Sequence, residues 1–201
     1  MELGLAGRRA LVTGGSKGIG LAIAEELVAE GVDVAICARN EAEVDAAAAR
    51  LRASGRRVHA QTADVTDAEQ VTDLVNRTVS ALGGLDILVN NAGAARPGNF
   101  ESLTDEDWHG DLDVKLFSQI RCTRSALPHL RASSAARVIN INSVYARYPD
   151  PAFFATTVIR AACLNLSKVL AQELASDQVL VNSVNIGLVV TPQWENIRRR
   201  R

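Results

Sequence analysis

The chain has 201 residues, 47% of them hydrophobic and 22% charged, which is enough apolar sequence for one domain with a sizeable core. Its formal net charge of −1 argues against nucleic-acid binding. The three cysteines are scattered and lack metal-ligand spacing, so we expect buried free thiols in a reducing compartment. With neither a signal-peptide pattern nor a membrane-spanning apolar run, we expect a cytoplasmic protein.

Short β-branched runs alternate with longer helical patterns through the first half of the chain. Strands are predicted at 9–13, 32–37, 57–62 and 85–90, and helices at 19–29, 41–54 and 66–82. The run at 85–90 is almost entirely apolar, which is typical of a strand covered on both faces.

The second half continues the alternation. It predicts one long helix at 104–131, with Pro128 in its last turn, then a strand at 137–142, a helix at 155–176 and a strand at 179–185. Strands separated by helices imply right-handed crossovers and a parallel sheet. We therefore predict a single α/β domain over residues 1–201, a doubly wound, Rossmann-like parallel sheet in three layers with strand order 3-2-1-4-5-6.

A glycine-rich turn at 13–20, TGGSKGIG, lies between the first strand and the first helix. Gly14 permits a tight turn, while Gly18 and Gly20 let the backbone approach a pyrophosphate and let the helix pack on the strand. The N-terminus of that helix would present free N–H groups and a positive dipole end to the phosphates. This context predicts a dinucleotide site.

The spacing of these glycines resembles the TGxxxGxG turn of the short-chain dehydrogenase/reductase family. The NNAG segment at 90–93 and the ADV segment at 63–65 resemble two further motifs of that family, the second of which contacts adenine. The resemblance extends from about Gly7 to Thr191. It implies a nicotinamide cofactor and hydride transfer.

The end of the second strand indicates which nicotinamide cofactor is used. NAD sites usually place an acidic residue there, whereas this strand is followed by Arg39, and Lys17 lies in the glycine turn. Two cations favour a 2′-phosphate, so we predict NADP(H). The predicted cofactor-binding residues are Gly14, Ser16, Lys17, Gly18, Ile19, Gly20, Arg39, Asp64, Val65, Asn91, Ala92 and Gly93.

The resembled family uses a tyrosine acid, a lysine four residues later, a serine that holds the substrate oxygen and an asparagine in a proton relay. Ser143 matches the serine. The tyrosine position holds Thr156, the lysine position Arg160 and the asparagine position Lys115. A threonine hydroxyl is too weak an acid to replace a phenol of pKa about 10.

Two hypotheses follow from these replacements. In the first, a rewired site moves a hydride between NADP(H) and a small-molecule carbonyl or secondary alcohol. Ser143 holds the substrate oxygen, Lys115 and Arg160 surround the nicotinamide ribose, and Tyr145 or Tyr148 supplies the acid. In the second, the protein binds NADP(H) without catalysis.

The segment at 185–191 resembles the family's PGxxxT segment, with Ile186 in the proline position. In the family a substrate lid, which would begin near Trp194, a last helix and a seventh strand follow. We expect these parts to be absent, either because the sequence is incomplete or because the protein is a shortened form. The basic run at 197–201 is interpreted as solvated surface charge.

The resemblance also implies a homodimer or homotetramer assembled through the long helices at 104–131 and 155–176. The apolar run at 152–155 fits such an interface or the protein core equally well.

Overall fold

A computed structural model describes residues 3–191, which build one parallel sheet. Its strands are β1 (Arg9–Thr13), β2 (Asp33–Ala38), β3 (Val58–Thr62), β4 (Ile87–Asn90), β5 (Arg137–Ser143) and β6 (Leu180–Ile186). The order is β3-β2-β1-β4-β5-β6, which confirms the predicted topology. Trp194 and the basic run at 197–201 lie outside the described residues.

Six α-helices of the described residues connect these strands. Four of them match predicted helices to within a few residues at each end, and the other two stand where one helix was predicted over 104–131. They are α1 (Gly18–Ala29), α2 (Glu41–Arg52), α3 (Ala68–Leu82), α4 (Asp105–Leu112), α5 (Ser118–Arg131) and α6 (Phe154–Glu173).

Two hydrophobic cores lie on opposite faces of the sheet. Leu11 and Leu88 belong to the core formed with α3 and α5. Val12 and Val89, their neighbours in sequence, belong to the core formed with α1 and α2. Successive side chains of a strand point to opposite faces, so the central strands are buried on both sides and the fold has three layers. Each such fully buried side chain stabilises the fold by about 1.5–3 kcal/mol.

The prediction of one regular helix over 104–131 is wrong at its centre. A π-helical turn, Asp113–Phe117, separates α4 from α5, and the N–H of Ser118 donates to the carbonyl of Asp113, five residues earlier. Such a turn contains one residue more than a regular α-helical turn, and a 3.6-residue apolar period does not reveal it. Single π-helical turns occur frequently at functional sites, and this one carries Lys115.

Two of the four residues in the apolar run at 152–155 are buried. Phe153 is 3% exposed and Ala155 is fully buried. Phe154 contacts Phe100 and Trp108, with ring centroids 5.4 and 6.3 Å apart. The run was predicted to belong either to an oligomer interface or to the protein core, and its buried residues belong to the core.

Within residues 3–191, α6 is the one helix whose length and hydropathy are sufficient to cross a membrane. It packs against β5, β6 and the π-helical turn, as a helix covering a sheet does. Such a helix is weak evidence for a membrane span. Cys37, Cys122 and Cys163 are all buried free thiols, as predicted, while the reducing compartment stays a prediction.

Candidate active site and cofactor cleft

The turn from β1 to α1 requires glycine for steric reasons. Gly14 and Gly18 have φ angles of 64° and 57°, in the left-handed region that side chains disfavour. A Cβ at Gly20 would lie 2.2 Å from the carbonyl oxygen of Gly14. The turn is therefore as tight as the spacing of its glycines predicts.

Side-chain hydrogen bonds fix this turn to the end of β4. The Asn91 amide nitrogen donates to the carbonyl oxygens of Thr13 and Gly14 at 2.9 and 3.1 Å. In return, the Thr13 hydroxyl accepts the N–H groups of Asn91 and Ala92, both at 3.0 Å. These bonds hold the two segments together at the carboxyl ends of β1 and β4, where the strand order of the sheet reverses. This position is the usual ligand site of a doubly wound sheet.

A cavity of about 610 Å³ follows this edge of the sheet. All twelve predicted cofactor-binding residues line it: Gly14, Ser16, Lys17, Gly18, Ile19, Gly20, Arg39, Asp64, Val65, Asn91, Ala92 and Gly93. The four predicted catalytic residues, Lys115, Ser143, Thr156 and Arg160, line the same cavity.

The N-terminus of α1 fits a pyrophosphate. Its N-cap residue, Lys17, is extended, and the Lys17 side chain does not cap the N–H groups of the first turn. Those groups and the helix dipole form an anion site when a glycine turn leads into them. The residues present therefore fit a dinucleotide.

A carboxylate that the sequence analysis missed contacts the predicted 2′-phosphate site. Glu43 forms an ion pair with Lys17 at 2.6 Å and accepts the Ser16 hydroxyl at 3.4 Å. Arg39 is exposed at the cavity and has no ion pair within residues 3–191. The signal for Glu43 was its place in the first turn of the helix that follows Arg39.

Asp64 uses its carboxylate to organise its own loop. One carboxylate oxygen accepts the N–H and the hydroxyl of Thr66, at 2.9 and 2.8 Å. The Asp64 N–H donates to Gln70 at 2.9 Å. This loop thereby holds Asp64 and Val65 against the cavity.

At the other end of the cavity, β5 ends at Ser143. Its hydroxyl oxygen accepts the N–H of Tyr145 at 3.2 Å. The Tyr145 ring also lines the cavity and stacks on Phe153, with centroids 5.4 Å apart. Tyr148 is 72% exposed and is absent from the cavity lining, which argues against it as the acid.

Lys115 lies at the wall of this cavity and is 1% exposed. Its ammonium group forms an ion pair with Asp111, which also accepts the Thr156 hydroxyl at 3.1 Å. Burial lowers the pKa of Lys115 to about 8, although Asp111 favours the charged form.

Arg160 is held against the strand ends. Its guanidinium donates to the carbonyl of Ile141 at 3.0 Å, and its own carbonyl accepts the Asn142 amide at 3.1 Å. A Cβ at Gly93 would lie 3.1 Å from the guanidinium, a tight contact that Arg160 would have to relieve by a small shift. Burial lowers the pKa of Arg160, and its Nε is a buried donor without a protein partner in the described part of the chain.

Asp111 is the functional candidate that the sequence analysis missed at this end. It lies four residues before Lys115, which is a spacing that brings two side chains together on a helix. That signal was present, but surface pairs at the same spacing are common, and burial distinguishes this one.

Three features define a dinucleotide-binding α/β protein: the glycine turn, the cavity at the carboxyl ends of the strands, and the strand order. The profile of the short chain dehydrogenase family matches residues 8–201. The chain belongs to this family, as its resemblance predicted.

Known relatives match most of the chain. A 3-oxoacyl-acyl-carrier-protein reductase of Staphylococcus aureus is 34% identical over 185 residues, 92% of this chain and 75% of the relative. A short chain oxidoreductase of Pseudomonas aeruginosa PAO1, described as containing an atypical catalytic center, is 41% identical, with a TM-score of 0.94 over 98% of this chain and 76% of its own.

Several structural neighbours contain a cofactor. The Pseudomonas protein was also solved with NADPH bound. The L-sorbose reductase of Gluconobacter frateurii, solved with NADPH and L-sorbose, is 35% identical, with a TM-score of 0.96 over 100% of this chain and 76% of its own. The NADP(H) prediction is confirmed by these neighbours.

Proposed function

We propose that the protein transfers a hydride between NADP(H) and a small-molecule carbonyl or secondary alcohol through a rewired site. The observation that carries the proposal is the buried Lys115, which lines one cavity with Ser143 and the glycine turn. A buried amine with a lowered pKa, inside a cofactor-sized cavity, is typical of a functional group rather than of a surface lysine.

The proposed cofactor contacts follow the order of the cavity wall. The N-terminus of α1 receives the pyrophosphate, and Arg39 with Lys17 receives the 2′-phosphate. Arg160, which donates to the Ile141 carbonyl, would hold the nicotinamide ribose together with Lys115. When bound, the reduced cofactor supplies the hydride.

We assign the proton to Lys115. During reduction, the carbonyl carbon gains the hydride, the C=O π pair moves to oxygen, and an N–H of Lys115 is transferred to that oxygen. Ser143 accepts the Tyr145 N–H and retains its own O–H to donate to the same substrate oxygen. Lys115 then recovers a proton from solvent. In alcohol oxidation the neutral amine accepts the proton.

This assignment fixes the sign of the pH dependence. The ammonium form needed for reduction is populated below the Lys115 pKa of about 8 and is lost as the pH rises through it. Reduction should therefore slow above about pH 8.

Ketone or sugar-like substrates are favoured by the sorbose-bound neighbour. The Pseudomonas relative, an oxidoreductase described as containing an atypical catalytic center, favours a catalytic site that departs from the family pattern. A cytoplasmic location and a homodimeric or homotetrameric assembly stay predictions, and light scattering at several protein concentrations would test the assembly.

The experiment combines binding with turnover. NADPH and NADH are titrated into the protein, and NADPH oxidation is then measured against a panel of ketones, for wild type, Lys115→Met and Tyr145→Phe. The proposal expects turnover that Lys115→Met abolishes and Tyr145→Phe largely retains. The reverse pattern would assign the acid to Tyr145. Thr156 in place of a phenol favours the non-catalytic alternative, which predicts NADPH binding without oxidation of any ketone.

A further inference from the structure

Asp111 lies beside the end of the cavity that Lys115 and Thr156 line, and it is 2% exposed. One of its carboxylate oxygens forms the ion pair with Lys115 and lies 3.5 Å from the Arg96 guanidinium. The other oxygen accepts the Thr156 hydroxyl. Asp111 therefore links α4, the π-helical turn and α6 through a single side chain.

A carboxylate buried this deeply must be compensated, because an isolated buried charge is very unfavourable. Lys115 provides the opposite charge and Thr156 provides a hydroxyl donor. Both of these partners line the cavity. The pairing therefore fixes the positions of two side chains that stand where the family has its asparagine and its tyrosine.

We propose that Asp111 is a positioning residue, which holds Lys115 as an ammonium ion at the cavity wall and orients the Thr156 hydroxyl beside it. The inference rests on the proposed function, because it explains how Lys115 is kept ready to donate its proton. It also gives Thr156 a role that needs no acidity. The hydroxyl occupies one carboxylate oxygen and leaves the other for Lys115.

The other charged neighbours of Lys115 disfavour its ammonium form, so the charge state of Lys115 depends on Asp111. Burial lowers the pKa of Lys115, and the positive charges of Arg160 and Arg96 lower it further. From α6, the Cys163 thiol donates to the Lys115 carbonyl at 3.4 Å, and burial raises the thiol pKa so that it stays neutral. Among these groups, Asp111 alone favours the ammonium form. Its removal should leave Lys115 a neutral amine over most of the usual pH range.

The chain contains three lysines, Lys17, Lys115 and Lys168, so the side-chain amines are resolvable by nitrogen NMR of lysine-labelled protein. The signal of Lys115 is assigned by its loss in Lys115→Met. In Asp111→Asn we expect the Lys115 pKa to fall by at least one unit, which is about a tenfold fall in the ratio of ammonium to amine at a given pH. The signals of Lys17 and Lys168 should be the same in the variant and in wild type.

Asp113→Asn is the matched control. Asp113 lies in the π-helical turn, pairs with Arg121 at 3.0 Å and is half exposed. Its variant should leave the Lys115 pKa unchanged. A fall of similar size in both variants would overturn the proposal, because it would reflect a general disturbance of the turn. An unchanged Lys115 pKa in folded Asp111→Asn would overturn it directly.

Asp111→Glu covers the case in which Asp111→Asn does not fold. A carboxylate moved by one methylene should shift the Lys115 pKa measurably, and an unchanged value would contradict the positioning role.

The second measurement is the pH profile of NADPH oxidation, whose alkaline limb should move to lower pH in Asp111→Asn together with the NMR value. An NMR shift without a shift of that limb would overturn the link to proton transfer. Absence of turnover in wild type would instead refute the proposed function, while the NMR result would still stand.

Discussion

The two ends of the cavity are built in different ways. At the glycine turn, backbone geometry defines the site: positive φ angles, a Gly20 that admits no Cβ, and the bonds between Asn91 and Thr13. At the other end, side chains from three elements meet at Asp111. The first end depends on backbone conformations and close approaches that glycine permits, whereas the second depends on how side chains from different elements pack. Cofactor binding and chemistry should therefore respond separately to mutation.

Lys115→Met is expected to show the largest difference between the loss of activity and the loss of cofactor binding. Losing a general acid typically costs about 10²- to 10⁴-fold in rate, so NADPH oxidation should fall by that factor. The Kd for NADPH should change far less, because the phosphate contacts lie at the opposite end. Steady-state kinetics and a fluorescence titration measure the two quantities.

Lys115→Met also removes the buried partner of the Asp111 carboxylate and leaves it only the Arg96 guanidinium at 3.5 Å. Breaking a buried ion pair destabilises proteins by about 3–5 kcal/mol. The double variant Asp111→Asn with Lys115→Met removes that cost and is the folded control. It should regain thermal stability but not activity. Recovery of activity in the double variant would show that Lys115 acts only through stability.

Gly20→Ala is expected to damage the opposite end. The new Cβ would clash with the Gly14 carbonyl and lie 2.4 Å from the Asn91 amide nitrogen. Overpacking of this kind costs about 1–3 kcal/mol, and a chain of this size loses about 2–4 °C of Tm per kcal/mol. NADPH binding should be lost as the turn opens. Gly187→Ala, whose Cβ would meet open space in the same cavity, should unfold at the wild-type temperature.

Arg39→Ala is expected to weaken the binding of NADPH much more than the binding of NADH. Hydrogen bonds to charged groups contribute about 1.5–3 kcal/mol, so the Kd for NADPH should rise by about 10- to 100-fold while that for NADH stays nearly constant. Arg50→Ala is the control, because Arg50 pairs with Glu25 away from the cavity. An equal loss of both cofactors in Arg39→Ala would refute the 2′-phosphate assignment.

The smallest effect is expected in Glu43→Gln. Exposed ion pairs contribute up to about 1 kcal/mol, so releasing Lys17 from Glu43 should tighten NADPH binding by up to about fivefold. Titrations at low and high salt should show the gain shrinking as salt screens it. Glu41→Gln, in the same helical turn, should have no effect. Weaker NADPH binding in Glu43→Gln would instead assign Glu43 a direct role in holding the cofactor.

The sequence predicted what is local or periodic. Strand order followed from the alternation of apolar runs, and the glycine turn followed from sterics that any such turn must obey. The π-helical turn was missed because the apolar period is unchanged on either side of one extra residue. Asp111 and Glu43 were missed because a carboxylate acquires its role from burial and neighbours, which spacing alone does not reveal. Lys115 was predicted because it departs from a family pattern, although only the structure gives its partner.

Deuterium transfer tests the central claim most directly. NADPH carrying deuterium at both C4 positions is incubated with the protein and the ketone panel, and the alcohol products are examined by mass spectrometry and NMR. The account predicts one deuterium on the carbinol carbon in wild type, with the yield falling about 10²-fold or more in Lys115→Met. NADPH that binds but delivers no deuterium to any ketone would contradict it.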